Sequence, residues 1–189
     1  MTQWADGKQR CFWANSGNPR YIRYHDEEWG RPVHEDRKLF EMLLLETFQA
    51  GLSWECVLNK REAFREAFDN FDVQKVANYD ADKLSSLADN PKIIRNKLKI
   101  NASARNANVF IKIQDEFDSF DNYIWGFTKR EVIYESCDLR TTSPLSDTIS
   151  KDLKKRGMKF VGSTIIYSYL QAIGVINGHL EGCWKYKKQ

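Results

Sequence analysis

Two residues in the stretch LETFQAGLSW, residues 45–54, are of types that can do chemistry: Glu46, set in one of the most apolar segments of the chain, and Trp54, eight positions on. Leu39, Met42, Leu43, Glu46 and Ala50 recur at spacings of three, four and seven, so Glu46 shares a helical stripe that normally faces a core. An ionised carboxylate taken out of water costs several kcal/mol unless it is paired, hydrogen-bonded or protonated. Two solutions remain open on this evidence. One is a structural salt bridge to an arginine or lysine of another helix; the other is a functional role.

A second constellation lies at the two ends. The chain has three histidines and four cysteines, and four of these seven residues pair near the termini, Cys11 with His25 and His179 with Cys183. His-x3-Cys places imidazole and thiolate one helical turn apart, or across a tight loop, close enough to share a zinc ion, and Cys11 with His25 would complete a Cys2His2 set. Such a four-ligand site is closed to water, so it would staple the termini together and perform no chemistry. Two buried cysteines and two hydrogen-bonded histidines are the alternative that spacing alone leaves open. Cys56 and Cys137 have no neighbouring ligands and are expected in the core.

The third is KKRGMKFVGSTIIYSYLQAIG, residues 154–174, which begins basic, turns at Gly157 and Gly162, and continues into an apolar helix that Gly174 can end. Unpaired N–H groups at a helix N-terminus, with Gly162 allowing close approach and Ser163 and Thr164 adding hydroxyls, suit a phosphate. A plain connection between two helices has the same pattern.

The elements that must position these groups read as helices almost throughout, and the fold class is all-α. Asp36 caps a helix to about Ala50 that Gly51 ends, and Ser53 caps the next, through WECVLNKREAFREAF. Pro91 starts a long central helix whose stripe is Ile93, Lys97, Ile100, Ala104, Ala107 and Ile111. Residues 72–79, 80–88, 120–127 and 146–156 form shorter helices, while REVIY at 130–134 is too short to assign.

At 189 residues and 42% hydrophobic composition the chain can bury a real core, as one domain over residues 1–189 or two intimately packed helical lobes. It has no apolar run of about eighteen residues, and its N-terminus lacks the apolar region of a signal peptide, so a soluble, cytoplasmic protein with no membrane partner is expected. A net charge of +3 does not by itself indicate nucleic acid. Two local clusters carry that argument: Lys92, Arg95, Lys97, Lys99 and Arg105, and Lys151, Lys154, Lys155, Arg156 and Lys159. Either one alone reads as a solvated helix face.

With these motifs in view the chain resembles the 3-methyladenine-DNA glycosylase I family of the helix-hairpin-helix DNA glycosylases. The resemblance is carried by YIRYHDEEWG at 21–30, LFEMLLLETFQAGLSWECVLNKRE at 39–62, KKRGMKFVGSTIIYS at 154–168 and GHLEGC at 178–183, and spans nearly the whole chain. It implies hydrolysis of the N-glycosidic bond of 3-methyladenine in alkylated double-stranded DNA. It also implies one structural zinc on Cys11, His25, His179 and Cys183, which joins the N- and C-terminal segments. A monomer without an obligate protein partner is expected.

The chemistry suits the residues. A base inside a duplex must be flipped out to be reached, and Trp54, Tyr24, Trp13, Tyr21 and Trp29 supply faces to hold it. Methylation at N3 leaves the adenine cationic, which draws it to π faces and to the Glu46 carboxylate, an acceptor for its exocyclic amine. Leu52, with Gly51 at the turn between the two helices, is the candidate wedge filling the vacated stack; a core leucine at an αα-corner is the competing reading. Lys159, Gly162, Ser163 and Thr164 are the candidate phosphate contacts. Many relatives with this hairpin carry an aspartate in the segment that follows, where this chain has AIGVINGHLEG, with Asn177 and Glu181 but no aspartate. Others carry a Schiff-base lysine where Thr164 stands. A monofunctional hydrolase that leaves an abasic site follows. The rivals are a zinc-stapled module that binds DNA without catalysis, and a hydrolase with catalytic zinc.

Overall fold

The computed structural model describes residues 4, 6–135 and 140–187, so Cys137 lies outside the described residues. Helices dominate. Asn18 accepts from Arg20 N and Tyr21 N, and Pro19 supplies a preset φ, so α1 (Pro19–Arg23) starts there. It runs directly into a π-type turn, Tyr24–Glu28, closed by Trp29 N donating to Tyr24 O. Then come α2 (Asp36–Gln49), α3 (Trp54–Asn59), α4 (Arg61–Ala67), α5 (Val73–Ala77), α6 (Ala81–Asp89), α7 (Lys97–Phe117) and α8 (Phe120–Gly126). α9 (Pro144–Arg156) and α10 (Ser163–Ala172) follow, and the segments β1 (Ile133–Tyr134) and β2 (Ile176–Asn177) pair in parallel, Ile133 opposite Ile176. REVIY thus ends in a two-residue strand. Among the described residues no helix is long and apolar enough to cross a membrane.

α2 lies at the centre, buried from Leu39 to Phe48 and packed against α3, α7, α8 and α10. Asp36 does not cap it. Glu35 occupies that position, and the Asp36 carboxylate reaches across to accept from Phe120 N and Asp121 N, closing the N-terminus of α8. Ser53 does cap α3, accepting from Cys56 N. The single helix expected over 54–68 breaks at Lys60, whose backbone (φ −101°, ψ 2°) turns α4 so that Arg61 and Arg65 face Glu41. Cys56 is half-buried, not a core residue.

Two further expectations need correction. α7 begins at Lys97, because the Asn96 side chain takes the N–H groups of Leu98 and Lys99, while Asn90 binds Lys92 N and holds the Pro91 segment in a turn. Its buried face runs through Lys99, Ile100, Ser103, Asn106, Ala107, Phe110 and Ile113, which leaves Lys97 exposed and Ala104 and Ile111 only half-buried. Three polar residues on that face obscure its phase to a reading based on hydrophobicity. α9 begins earlier than residue 146: Pro144 is its first residue, and Ser143 and Ser146 form a reciprocal capping box.

The ends meet because residues 29–33 run along the end of α10, with Gly30 N donating to Gln171 O and Val33 N to Ile173 O. Gly174 makes this approach feasible. Its φ is +76°, and a Cβ there would sit 2.2 Å from the Arg31 carbonyl carbon.

Candidate active site

The π-type turn presents consecutive side chains to two different places. Tyr24 faces a cavity of about 210 Å³ lined by Trp13, Tyr21, Tyr24, Trp29, Glu46, Gln49, Trp54, Ser168 and Gln171. The cavity wall is a continuous aromatic series, Trp29 to Trp13 (4.8 Å between centroids), Trp13 to Tyr21 (5.6 Å), Tyr21 to Tyr24 (6.5 Å) and Tyr24 to Trp54 (5.2 Å). The structure therefore brings together Glu46, Trp54, Tyr24, Tyr21, Trp13 and Trp29.

Glu46 is 2% exposed, and among the described residues no group donates to its Oε2. Burial pushes its carboxyl well above the ordinary value of 4.5. The salt bridge left open by the sequence is not made among the described residues. Gln49 Oε1 and Trp54 Nε1 are the other buried side-chain polar atoms without a partner among the described residues, and both residues line the same cavity. Natural proteins rarely leave such groups unpaired, and three around one void point to a polar ligand. Burial, with the Glu46 charge adding to it, raises the Tyr24 hydroxyl, and Tyr21 rises to about 12, so both remain hydroxyl donors.

His25, next along the turn, faces the other way, into a buried group of Cys11, His25, His179 and Cys183 whose ligand atoms lie within 4.8 Å of one another. Cys183 Sγ is 3.5 Å from His25 Nε2 and 3.6 Å from His179 Nδ1, and Cys11 Sγ is 3.6 Å from His179 Nδ1. Tetrahedral bonds of about 2.0–2.3 Å require ligand separations of about 3.5 Å, so the set fits a metal such as zinc. Both imidazoles are oriented for it. His25 Nδ1 lies 2.8 Å from Asp26 Oδ1, and His179 Nε2 lies 3.3 Å from the Trp29 carbonyl, which leaves Nε2 and Nδ1 respectively aimed at the thiols. Asp26 is held in turn by Arg10. His179 packs edge-on against Trp29 and His25 lies against Trp13, so the metal group backs the aromatic wall.

Gly157 (φ +105°) ends α9 and Gly162 precedes α10, so residues 157–162 form a tight connection between two helices. Lys159 and Thr164 are exposed and Gly162 half-buried. The Ser163 hydroxyl is already engaged, donating to Asp147 Oδ1 at 2.5 Å with Ser146 Oγ at 2.8 Å, which leaves its backbone N–H as the group it can offer. Gly51 (φ +81°) ends α2, and Leu52 beyond it is 44% exposed, not packed in the core. The basic clusters are not uniform. Lys99 is buried, and Arg156 pairs with Glu116 and Asp152.

Comparison with known proteins decides the family. A methyladenine glycosylase family model matches residues 13–186. The chain is 42% identical over 182 residues to DNA-3-methyladenine glycosylase 1 of Escherichia coli K12, covering 94% of this chain and 97% of that protein. It is 39% identical to the Haemophilus influenzae DNA-3-methyladenine glycosylase, over 92% and 96% of the two chains. The chain belongs to the methyladenine glycosylase family. A crystal structure of a 3-methyladenine DNA glycosylase I superposes with a TM-score of 0.90 at 42% identity, over 95% of this chain and all of the other. The Staphylococcus aureus 3-methyladenine DNA glycosylase I, solved to explain its recognition of 3-methyladenine, gives 0.87 at 33% identity, over 100% and 98%.

In this methyladenine glycosylase Gln49, Ser168 and Gln171 also line the cavity, beyond the residues expected from the sequence. Gln49 was findable, since it follows Glu46 by three positions and so shares its helix face. Ser168 and Gln171 have the same spacing on α10, but nothing local says which face of that helix meets the cavity.

Proposed function

We propose that this glycosylase flips 3-methyladenine out of alkylated double-stranded DNA into the aromatic cavity and hydrolyses its N-glycosidic bond, leaving an abasic site. The observation that carries the reading is the buried Glu46 carboxylate, its Oε2 without a partner among the described residues, in a cavity walled by five aromatic side chains. A cationic adenine offers what the cavity lacks. Its amine N–H groups satisfy Glu46 Oε2 and Gln49 Oε1, its charge repairs the cost of burying a carboxylate, and Trp54 and Tyr24 supply π faces. Tyr21, Trp13 and Trp29 complete the enclosure. Nucleotide ring nitrogens and sugar–phosphate oxygens supply acceptors for Trp54 Nε1–H. Normal adenine lacks the charge. A cationic purine leaves as a neutral one, so positioning in a water-poor cavity does much of the work.

Residues 144–172 serve as the helix-hairpin-helix. The free N–H groups at the start of α10, from Ser163 and Thr164, receive a phosphate that Gly162 lets approach and Lys159 attracts. Leu52, set on the Gly51 turn, fills the gap left by the flipped base. Thr164 stands where a lyase would need an amine, so borohydride should trap no enzyme–DNA adduct. One zinc on Cys11, His25, His179 and Cys183 ties the terminal segments and steadies Trp13 and Trp29, taking no part in the reaction.

Chromatography of bases released from methylated DNA by the wild type and by Glu46→Gln tests the reading. Release of 3-methyladenine, with 7-methylguanine retained and release reduced by the substitution, is expected. A folded wild type that binds DNA and releases nothing would instead be a binding module. Metal analysis should find about one zinc per chain, and chelation should unfold the termini and empty the cavity of affinity. A metal-free, fully folded and active sample would overturn the zinc assignment.

A further inference from the structure

α7 touches both of the turns assigned to DNA without belonging to either. Lys99 is 5% exposed, and its Nζ donates to Phe48 O at 2.9 Å and Ala50 O at 2.6 Å, the last carbonyls before the Gly51–Leu52 turn. Asn106, 2% exposed and seven residues along, closes a two-bond pair with the main chain of Lys159: its Oδ1 accepts from Lys159 N at 2.8 Å, and its Nδ2 donates to Lys159 O at 2.9 Å. Beside it Arg105 Nε donates to Gly157 O at 2.7 Å. Residues seven apart lie on one helix face, two turns from each other, about 10 Å along the axis.

A buried lysine that has no carboxylate partner among the described residues is an expensive way to cap a helix, because water or a glycine-type C-cap satisfies the same carbonyls at less cost. What the ammonium adds is a fixed tie between α2 and α7. Asn106 repeats that device at the other turn, where a side-chain amide holds a loop residue as a neighbouring strand would. The helix between them is stiff and packed, so the two ties set a fixed separation. Base flipping requires one strand to be gripped by a phosphate while a side chain enters the stack nearby, and that separation decides whether both occur on the same duplex.

We infer that Lys99 and Asn106 are positioning residues that make α7 a rigid spacer between the phosphate-gripping hairpin and the base-flipping turn. Lys99 therefore acts on DNA through α2 and not as a phosphate contact. The inference rests on the DNA-binding reading above.

The test uses Lys99→Met, Lys99→Arg, Asn106→Ala and the double variant Lys99→Met/Asn106→Ala of the full chain. Flipping is followed by 2-aminopurine fluorescence beside the lesion in a duplex, and free 3-methyladenine affinity by quenching of the cavity tryptophans. Lys99→Met and Asn106→Ala should each weaken flipping about tenfold while leaving free-base affinity within about twofold. Lys99→Arg should restore most of the loss. The double variant should be little worse than either single, because breaking one end already uncouples the turns. Flipping losses that multiply in the double variant, or loss of free-base affinity in parallel with flipping, would overturn the spacer and leave two ordinary stabilising contacts. Flipping read in this way needs no hydrolysis, so a wild type that flips but releases no base counts against the proposed activity and not against the spacer.

Discussion

Helix α2 buries two glutamates, and the protein treats them in opposite ways. Glu41, 6% exposed, accepts from Arg61 Nε at 2.7 Å and Arg65 Nη2 at 2.8 Å, with Lys38 Nζ at 3.2 Å. Burial alone would raise its pKa, but the charges of Arg61, Lys38 and Arg65 overcome that and hold it below 4.5. Glu46, one turn and a half further on, makes no ion pair among the described residues and is driven upward by burial. The difference teaches what a buried carboxylate is for. Saturated, it closes a structural network linking α2 to α4; unsatisfied beside a cavity, it is kept for a partner that comes and goes.

The largest effect expected from this contrast is on stability. Glu41→Ala leaves Arg61 buried with Glu28 as its remaining acid, and should cost about 3–5 kcal/mol of unfolding free energy. Because the folded pKa of Glu41 lies below 4.5, its stabilisation is present above that pH and fades as pH falls through the folded value. Base release per folded molecule should be unchanged. Denaturant unfolding with an active-site titration checks both, and a loss of activity without loss of stability would break the division of labour.

Glu46→Gln should do the reverse. Excision of 3-methyladenine should fall about 100-fold in kcat/KM, about 2.7 kcal/mol, as the cationic base loses its counter-charge. Stability should rise. A group whose folded pKa is raised contributes fully below its unfolded value of 4.5 and loses that contribution as pH climbs, so at neutral pH Glu46 is a burden on the fold. Melting curves of the two proteins should therefore coincide near pH 4 and separate in favour of Gln as pH rises. Equal melting temperatures at pH 7 would mean that Glu46 has found a partner.

How much of this contrast the sequence carries depends on which partners are local. The stripe that buries Glu46, the cap at Ser53 and the stop at Gly51 follow from helical spacing and turn chemistry, and all were legible. That Glu41 and not Glu46 receives the arginines was not, because it depends on the break at Lys60 that turns α4. Polar residues on buried faces mislead in the same way. Lys99 and Asn106 look like surface positions until the carbonyls they bind are known, and they shift the apparent phase of α7. Asp36 was readable as a cap but not as the cap of a helix more than eighty residues away. The four metal-type ligands were conspicuous because histidine and cysteine are scarce here, whereas Ser168 and Gln171 carry no such signal.

The smallest effect tests the contrast where α2 stops. If the Glu46 end is built for an incoming nucleotide, the residue just past it should matter to DNA and not to the fold. Leu52 is 44% exposed at the Gly51 turn, so truncating it removes little buried surface and should change stability by less than about 0.5 kcal/mol. Excision from duplex DNA should drop on the order of tenfold, since the vacated stack is left unfilled, while single-stranded substrate, which has no stack to hold open, should be processed as before. Parallel single-turnover assays on the two substrates with Leu52→Ala measure this directly. Equal losses on both would assign Leu52 to shaping the cavity mouth, and the functional end of α2 would then stop at Gln49.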